Sequence, residues 1–249
     1  MNRRSFAKKS MAAAMTVGLG SLTASSMTKV TKDNKLKIVC VGAHPDDPES
    51  GCGGTLAKFS NKGHLVTVIY ITKGEAGIKG VSHKDASKIR TGEAKAACGI
   101  LNAKPLFAGQ IDGDTIVTND WVEKLYQLLR AEKPDIVFAH WPIDSHKDHQ
   151  VASLLAIQSW IKMKKSFALY FFEVCTGSQT TGFTPTDYVD ITATQEQKRK
   201  AVYCHTSQKP DSLYKAEDCN HALMEKFRGI EINTTAAEAF VQMNGKIIG

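Results

Sequence analysis

Val41-Gly42-Ala43-His44-Pro45-Asp46-Asp47-Pro48-Glu49 is the stretch on which the fold turns. The apolar run Leu36-Lys37-Ile38-Val39-Cys40-Val41 leads into it. Gly51, Gly53 and Gly54 follow, before a helical pattern over 56–62 that Gly63 is placed to stop. A buried strand, a glycine-rich turn and a helix open an α/β unit. In open α/β sheets, chemistry sits beyond the carboxyl ends of the strands, where His44, Asp46 and Asp47 fall. One histidine and two carboxylates at this spacing can supply two metal ligands and one free base. A polar turn in which Asp46 or Asp47 caps the next helix has the same composition. A catalytic zinc site with an open position needs a third protein ligand, so the remaining chain must provide one.

Outward from that stretch the pattern repeats. Leu65-Val66-Thr67-Val68-Ile69-Tyr70-Ile71 is a second buried strand, and Thr72-Lys73-Gly74-Glu75-Ala76-Gly77 is the loop at its end. Residues 86–99 read as a helix with Ile89, Ala96, Ala97 and Ile100 on one side and Arg90 and Glu93 elsewhere. Pro105-Leu106-Phe107 begins a third strand, followed by a loop through Asp112 and Gly113. Trp121, Leu125, Leu128 and Leu129 mark another amphipathic helix, closed by Lys133-Pro134, and 135–139 form a fourth strand. Four strand-then-helix repeats imply a parallel sheet covered on both faces. No gap is long or polar enough to divide the chain.

The fourth strand runs into His140-Trp141-Pro142-Ile143-Asp144-Ser145-His146-Lys147-Asp148-His149. A helical pattern follows, with Asp144 or Ser145 suited to its N-cap. His146 and His149 are then three apart on one helix face. Either alone reads as a solvated histidine at a helix start. Both, set at the same sheet edge as His44 and the two aspartates, answer the search for a third ligand.

These residues resemble the PIG-L/LmbE-like zinc-dependent N-deacetylases. The resemblance rests on Ala43-His44-Pro45-Asp46-Asp47, on Gly51-Cys52-Gly53-Gly54-Thr55-Leu56 and on His146-Lys147-Asp148-His149. Thr72–Gly77, Arg90-x-x-Glu93-Ala94, Asp112-Gly113, Lys198, His205-Thr206-Ser207-Gln208 and Ala237-Glu238-Ala239-Phe240 support it. It implies an α/β, Rossmann-like three-layer αβα sandwich with a mainly parallel sheet. It also implies His44, Asp47 and His149 as zinc ligands, Asp46 as general base and a protonated His146 as oxyanion stabiliser. Arg90, Asp112 and Trp141 would contact substrate. The implied reaction is removal of an N-acetyl group from an N-acetylglucosamine-type sugar or glycoconjugate. Zinc is the implied cofactor, with another divalent metal such as Fe2+ able to take its place. Lys147 departs from the family's usual Pro and leaves the ligand spacing intact. The same apparatus would serve a zinc amidase acting on another amide, such as a sugar–thiol conjugate. A sugar-binding module without activity would be expected to have lost the base or a ligand, and neither is lost. No Gly-x-Ser-x-Gly is present for a serine nucleophile.

The chain has 249 residues, 42% hydrophobic and 23% charged, which suits one α/β domain. Residues 1–26 read as a twin-arginine-like export signal, with Arg3-Arg4, Lys8 and Lys9 before a short Ala/Gly-rich run. The expected mature domain is 27–249, exported to the periplasm, where envelope glycans, glycolipids or imported oligosaccharides are the substrates within reach. Losing those four basic residues and no acids takes the formal charge from +7 to +3. That is too mild a charge for nucleic-acid binding. A small-molecule or glycan substrate is the expected partner, with no stable membrane span, and homo-oligomerisation is left open. Six widely spaced cysteines fit no zinc knuckle; Cys40 and Cys98 read as small buried hydrophobes.

Overall fold

The structure, a computed structural model, describes residues 35–214 and 220–243; the signal-like segment 1–26 lies outside them. The strands are β1 (Lys37–Gly42), β2 (Leu65–Tyr70), β3 (Ala103–Phe107), β4 (Ile136–His140), β5 (Ala168–Phe172), β6 (Asp187–Asp190) and β7 (Ala237–Gln242). The helices are α1 (Asp47–Asn61), α2 (His83–Ile100), α3 (Asn119–Glu132), α4 (Lys147–Lys162), α5 (Gln195–Tyr203), α6 (Asp211–Tyr214) and α7 (Asn220–Glu231). Strand order is β3-β2-β1-β4-β5-β7-β6. The first five strands are parallel, and β7 and β6 are antiparallel additions at one edge. The expected Rossmann-like sandwich with a mainly parallel sheet is present.

The direction of winding reverses between β1 and β4, which pair from Ile38↔Ile136 to Val41↔Ala139. A crevice opens at such a switch point. Alternation along β1 builds two cores. Val39 and Val41 pack with Leu125 and Leu129 of α3 and Leu155 of α4, while Ile38 and Cys40 pack with Leu56 of α1 and Ala97 of α2. Pro105 lies in β3, at the sheet's edge, where its missing N–H costs no ladder bond on the open side.

Three local expectations need correction. The glycines do not form a turn before the first helix, because α1 already begins at Asp47 and contains them. They are there for close approach. A Cβ on Gly51 would lie 2.4 Å from Phe172 Cδ2, and one on Gly54 would lie 2.7 Å from Ile191 Cγ2. The Gly54 and Thr55 N–H groups donate to the two Glu238 carboxylate oxygens at 2.9 and 2.7 Å. Fully buried Lys198 sits 2.7 Å from both Glu238 and Glu225.

The second correction concerns the face of α2. Ile89 and Ile100 are exposed, while Arg90 and Glu93 are buried. Polar partners decide this: Glu93 accepts bonds from Thr206 Oγ1, Ser207 N–H and Ser207 Oγ at 2.7–2.9 Å. The third is the N-cap of α4. It is His146, whose Nδ1 accepts the Asp148 N–H at 3.2 Å, rather than Asp144 or Ser145. Cys40, Cys52 and Cys98 are buried free thiols, and Cys175 and Cys204 are free and half-buried. Among the described residues no helix is long and apolar enough to cross a membrane.

The glycine packing has a measurable sign. Gly51→Ala should destabilise by about 1–3 kcal/mol, because Phe172 is wholly buried and cannot yield. Gly92→Ala, in α2 with open space around it, should stabilise by up to about 1 kcal/mol through helix propensity. Chemical denaturation of both variants checks the pair; a stabilised Gly51→Ala would contradict the close approach.

Candidate metal centre

His44 follows β1, Asp47 opens α1, and His149 lies in the first turn of α4, just after β4. Because β1 and β4 are neighbours, these three residues meet. Their ligand-type atoms lie within 4.8 Å of one another. Asp47 Oδ2 is 3.1 Å from His44 Nδ1, and Asp47 Oδ1 is 3.3 Å from His149 Nε2. Four-coordinate zinc with bonds of about 2.0–2.1 Å separates adjacent ligand atoms by about 3.3 Å. Two imidazoles and one carboxylate at this separation therefore fit a divalent cation.

The outer ring nitrogens face carboxylates. His44 Nε2 lies 3.1 Å from Asp148 Oδ2 and 3.2 Å from Asp112 Oδ1. His149 Nδ1 lies 3.3 Å from Asp144 Oδ2. Carboxylate–histidine pairs of this kind fix the tautomer and ring orientation of metal ligands. Asp148 is fully buried and also accepts from Thr115 Oγ1 at 2.6 Å and Gly113 N–H at 2.7 Å. A second possible grouping, His44, His146 and Asp148, is thus already committed through Asp148. Burial opposes charge on His44 and His149, but the surrounding aspartates outweigh it. They raise His44 well above the usual histidine range and His149 to about 9. The cluster attracts positive charge.

Asp46 occupies a strained backbone position, φ 106°. Such a conformation costs a non-glycine residue roughly 1–3 kcal/mol and needs outside support. Its N–H donates to Glu49 Oε2 at 3.2 Å, and its carbonyl accepts from Ser50 N–H at 2.9 Å and Ser50 Oγ at 2.8 Å. Arg90, 3% exposed, donates to the Pro45 carbonyl and pairs with Asp46 Oδ2 at 3.1 Å. The Asp46 side chain keeps 21% of its exposure. Burial and the neighbouring Asp47 push its carboxyl up to about 6 against the pull of Arg90. That places a carboxylate outside the ligand set, paired with Arg90 and able to accept a proton near neutral pH, beside the ligand cluster.

His146 stacks on His149 with centroids 4.6 Å apart and stands edge-on to His44 at 4.8 Å. A protonated His146 is not what this environment favours. Burial and the neighbouring His44 and His149 lower its pKa, and Nδ1 is engaged as an acceptor. In the neutral ring Nε2 then carries the hydrogen, so His146 can donate a hydrogen bond without a charge.

The residues surround a cavity of about 540 Å³, whose lining includes Asp46, Arg90, Asp112 and His146. Trp141, expected at the substrate, is not in that lining. Its indole N–H donates to the Thr181 carbonyl at 3.0 Å, and its ring packs edge-on against Phe171 and Phe183. Sequence reasoning missed His140, Cys175, Gln179 and His221, and the anchoring roles of Asp144 and Asp148. His140 is buried and neutral, held to about 4 by burial and His149; its Nε2 accepts the Ala43 N–H at 3.1 Å and its ring stacks 4.1 Å from His149. The only signal for it was its place at the end of a strand. Cys175 and His221 come from the half of the chain where no periodicity pointed to the site.

Residues 39–160 match the PIG-L family, described as GlcNAc-PI de-N-acetylase. Diacetylchitobiose deacetylase of Thermococcus kodakarensis is 32% identical over 198 residues, 72% of this chain and 72% of that protein. The structure of N,N'-diacetylchitobiose deacetylase from Pyrococcus horikoshii, complexed with its inhibitor MPG, aligns with a TM-score of 0.74 at 27% identity, covering 84% of each chain. A 4-oxalmesaconate hydratase of Pseudomonas putida is 27% identical over 187 residues, 68% of this chain and 72% of that protein. With residues 39–160 matched by the family and a relative 32% identical over 72% of each chain, the chain belongs to the PIG-L, LmbE-like family of deacetylases.

Proposed function

We propose that the chain is a zinc-dependent N-deacetylase that releases acetate from an N-acetylglucosamine-type saccharide. The observation that carries this is the Asp46 carboxylate, outside the ligand set and paired with Arg90, beside the His44–Asp47–His149 cluster at one sheet edge. A divalent cation held there supplies Lewis-acid polarisation and acidifies water. Asp46 takes the proton of the attacking water as its oxygen bonds to the acetyl carbon. His146 Nε2–H donates to the carbonyl oxygen as charge develops on it. Asp46 then delivers the proton to the amide nitrogen as the C–N bond breaks, leaving acetate and a free amine. Arg90 keeps the Asp46 carboxylate turned into the cavity. A volume of about 540 Å³ has room for a ligand of disaccharide size, and diacetylchitobiose deacetylases are among the relatives. The export-like segment at 1–26 supports an envelope location, to be checked by mass spectrometry of the native N-terminus.

Acetate release from N-acetylated mono- and disaccharides by the zinc-loaded protein tests the assignment. The hydratase seen among the relatives supplies the contrast. Water addition to an unsaturated acid, with no acetate from any amide, would sink the deacetylase reading.

Substitutions separate the roles. His44→Ala, Asp47→Ala and His149→Ala should each lose metal. Asp46→Asn should keep it and lose about 10²–10⁴ in kcat. His146→Ala should keep metal and lose about 10²–10³ in kcat and kcat/KM together. An Asp46→Asn protein without metal would reverse its assignment.

Protons and metal compete at the ligands. In the metal-free protein His149 is protonated below about pH 9, so binding at neutral pH must release protons and weaken as pH falls. Calorimetry in buffers of different ionisation enthalpy reads that release directly. Turnover should fall as pH drops through about 6 or below, where Asp46 gains a proton; a bound cation, like Arg90, favours the carboxylate and moves the limb down. No alkaline limb is expected from His146, because it works as a neutral donor.

A further inference from the structure

The cavity wall carries a second pair of metal-type donors outside the His44–Asp47–His149 cluster. Cys175 Sγ lies 3.5 Å from His221 Nε2, and both residues line the cavity. Zinc bonds of about 2.3 Å to sulfur and 2.0–2.1 Å to nitrogen, at a tetrahedral angle, separate the two atoms by about 3.5 Å. The spacing is that of a chelating pair.

Both donors are fixed. Cys175 is held at φ 48°, in the left-handed region that a β-carbon disfavours. Its carbonyl accepts from Ser178 N–H, Gln179 N–H and Ser178 Oγ at 2.9–3.0 Å, which locks the turn. His221 is 2% exposed, its Nδ1 is buried without a partner, and its ring stacks on Tyr214 at 5.7 Å and 15°. Burial and Lys198 keep the imidazole neutral, with its pKa near 4, so its lone pair is available at physiological pH. Burial, together with Asp47, Asp46 and Asp144, pushes the Cys175 thiol up to about 12. The same negative field that opposes a bare thiolate favours a cation beside it, and a coordinating thiol gives up its proton.

We infer that Cys175 and His221 form a second, thiophilic cation subsite in the cavity wall, which takes zinc or cadmium in excess of the first equivalent. Binding makes one metal–sulfur and one metal–nitrogen bond, and the thiol proton passes to solvent. Water completes the coordination. A cation there occupies space a substrate needs, so excess zinc inhibits. The inhibition rests on the deacetylase assignment; the binding does not.

Cobalt(II) titration of the full chain tests the binding. The first equivalent, at His44, Asp47 and His149, should show no sulfur-to-cobalt charge-transfer band. The second should bring one, which Cys175→Ser removes and His221→Gln weakens, while Cys204→Ser leaves it in place. In acetate-release assays, zinc above one equivalent should inhibit, and Cys175→Ser should raise the half-inhibitory zinc at least about tenfold. Absence of the band at two equivalents leaves only an S–H···N hydrogen bond and overturns the subsite. So does a band, or an inhibition, that persists unchanged in Cys175→Ser. If no acetate is released from any substrate, the spectral result still decides.

Discussion

The buried carboxylate of Asp47 joins the two halves of the site. One oxygen accepts the His44 N–H at 2.7 Å and lies 3.1 Å from His44 Nδ1; the other faces His149 across the β1–β4 boundary. Everything else can be ordered around that contact. The reversal of winding between β1 and β4, which run parallel, brings the two loops together, and the start of α1 sets Asp47 between two imidazoles. Asp112, Asp144 and Asp148 then set the direction of each ring from behind. Four buried or half-buried carboxylates around two histidines repel one another unless positive charge is present. That imbalance is the electrostatic counterpart of the ligand spacing.

Holding Asp47 there forces strain one residue earlier. Asp46 takes a positive φ, and the surroundings compensate through Glu49, Ser50 and Arg90. Glu49 is itself fixed by the Tyr70 hydroxyl. Further along α1, Glu238 from the last strand bonds the Gly54 and Thr55 N–H groups, and Lys198 ties Glu238 to Glu225. Removing one member of such a buried network typically costs about 3–5 kcal/mol, because its partner is left charged and uncompensated. Late segments of the chain thus support the first helix, and through it the ligand cluster.

Much of this was legible in the sequence because the signals were local. Buried parallel strands read as apolar runs, and the loops after two of them carry the His/Asp motifs on which the family resemblance rests. What could not be read depended on contacts far along the chain. Gly51 and Gly54 look like turn residues until Phe172 and Ile191 are seen against them. Arg90 and Glu93 look solvent-facing until Asp46 and Ser207 are found opposite. Strand β6 is short, with an aspartate at each end and no apolar alternation. Trp141, a substrate contact only by the family resemblance, lies outside the cavity lining, with its N–H on Thr181 and its ring against Phe171 and Phe183.

The account stands most directly on metal-dependent hydrolysis at a single centre. Acetate release from N,N'-diacetylchitobiose, followed as zinc is added to the metal-stripped protein, measures it. Activity should be absent without metal and rise in proportion to a maximum at one zinc per chain. Full activity in the metal-stripped protein, or a maximum reached only at two, would contradict the assignment of His44, Asp47 and His149 as the complete catalytic ligand set.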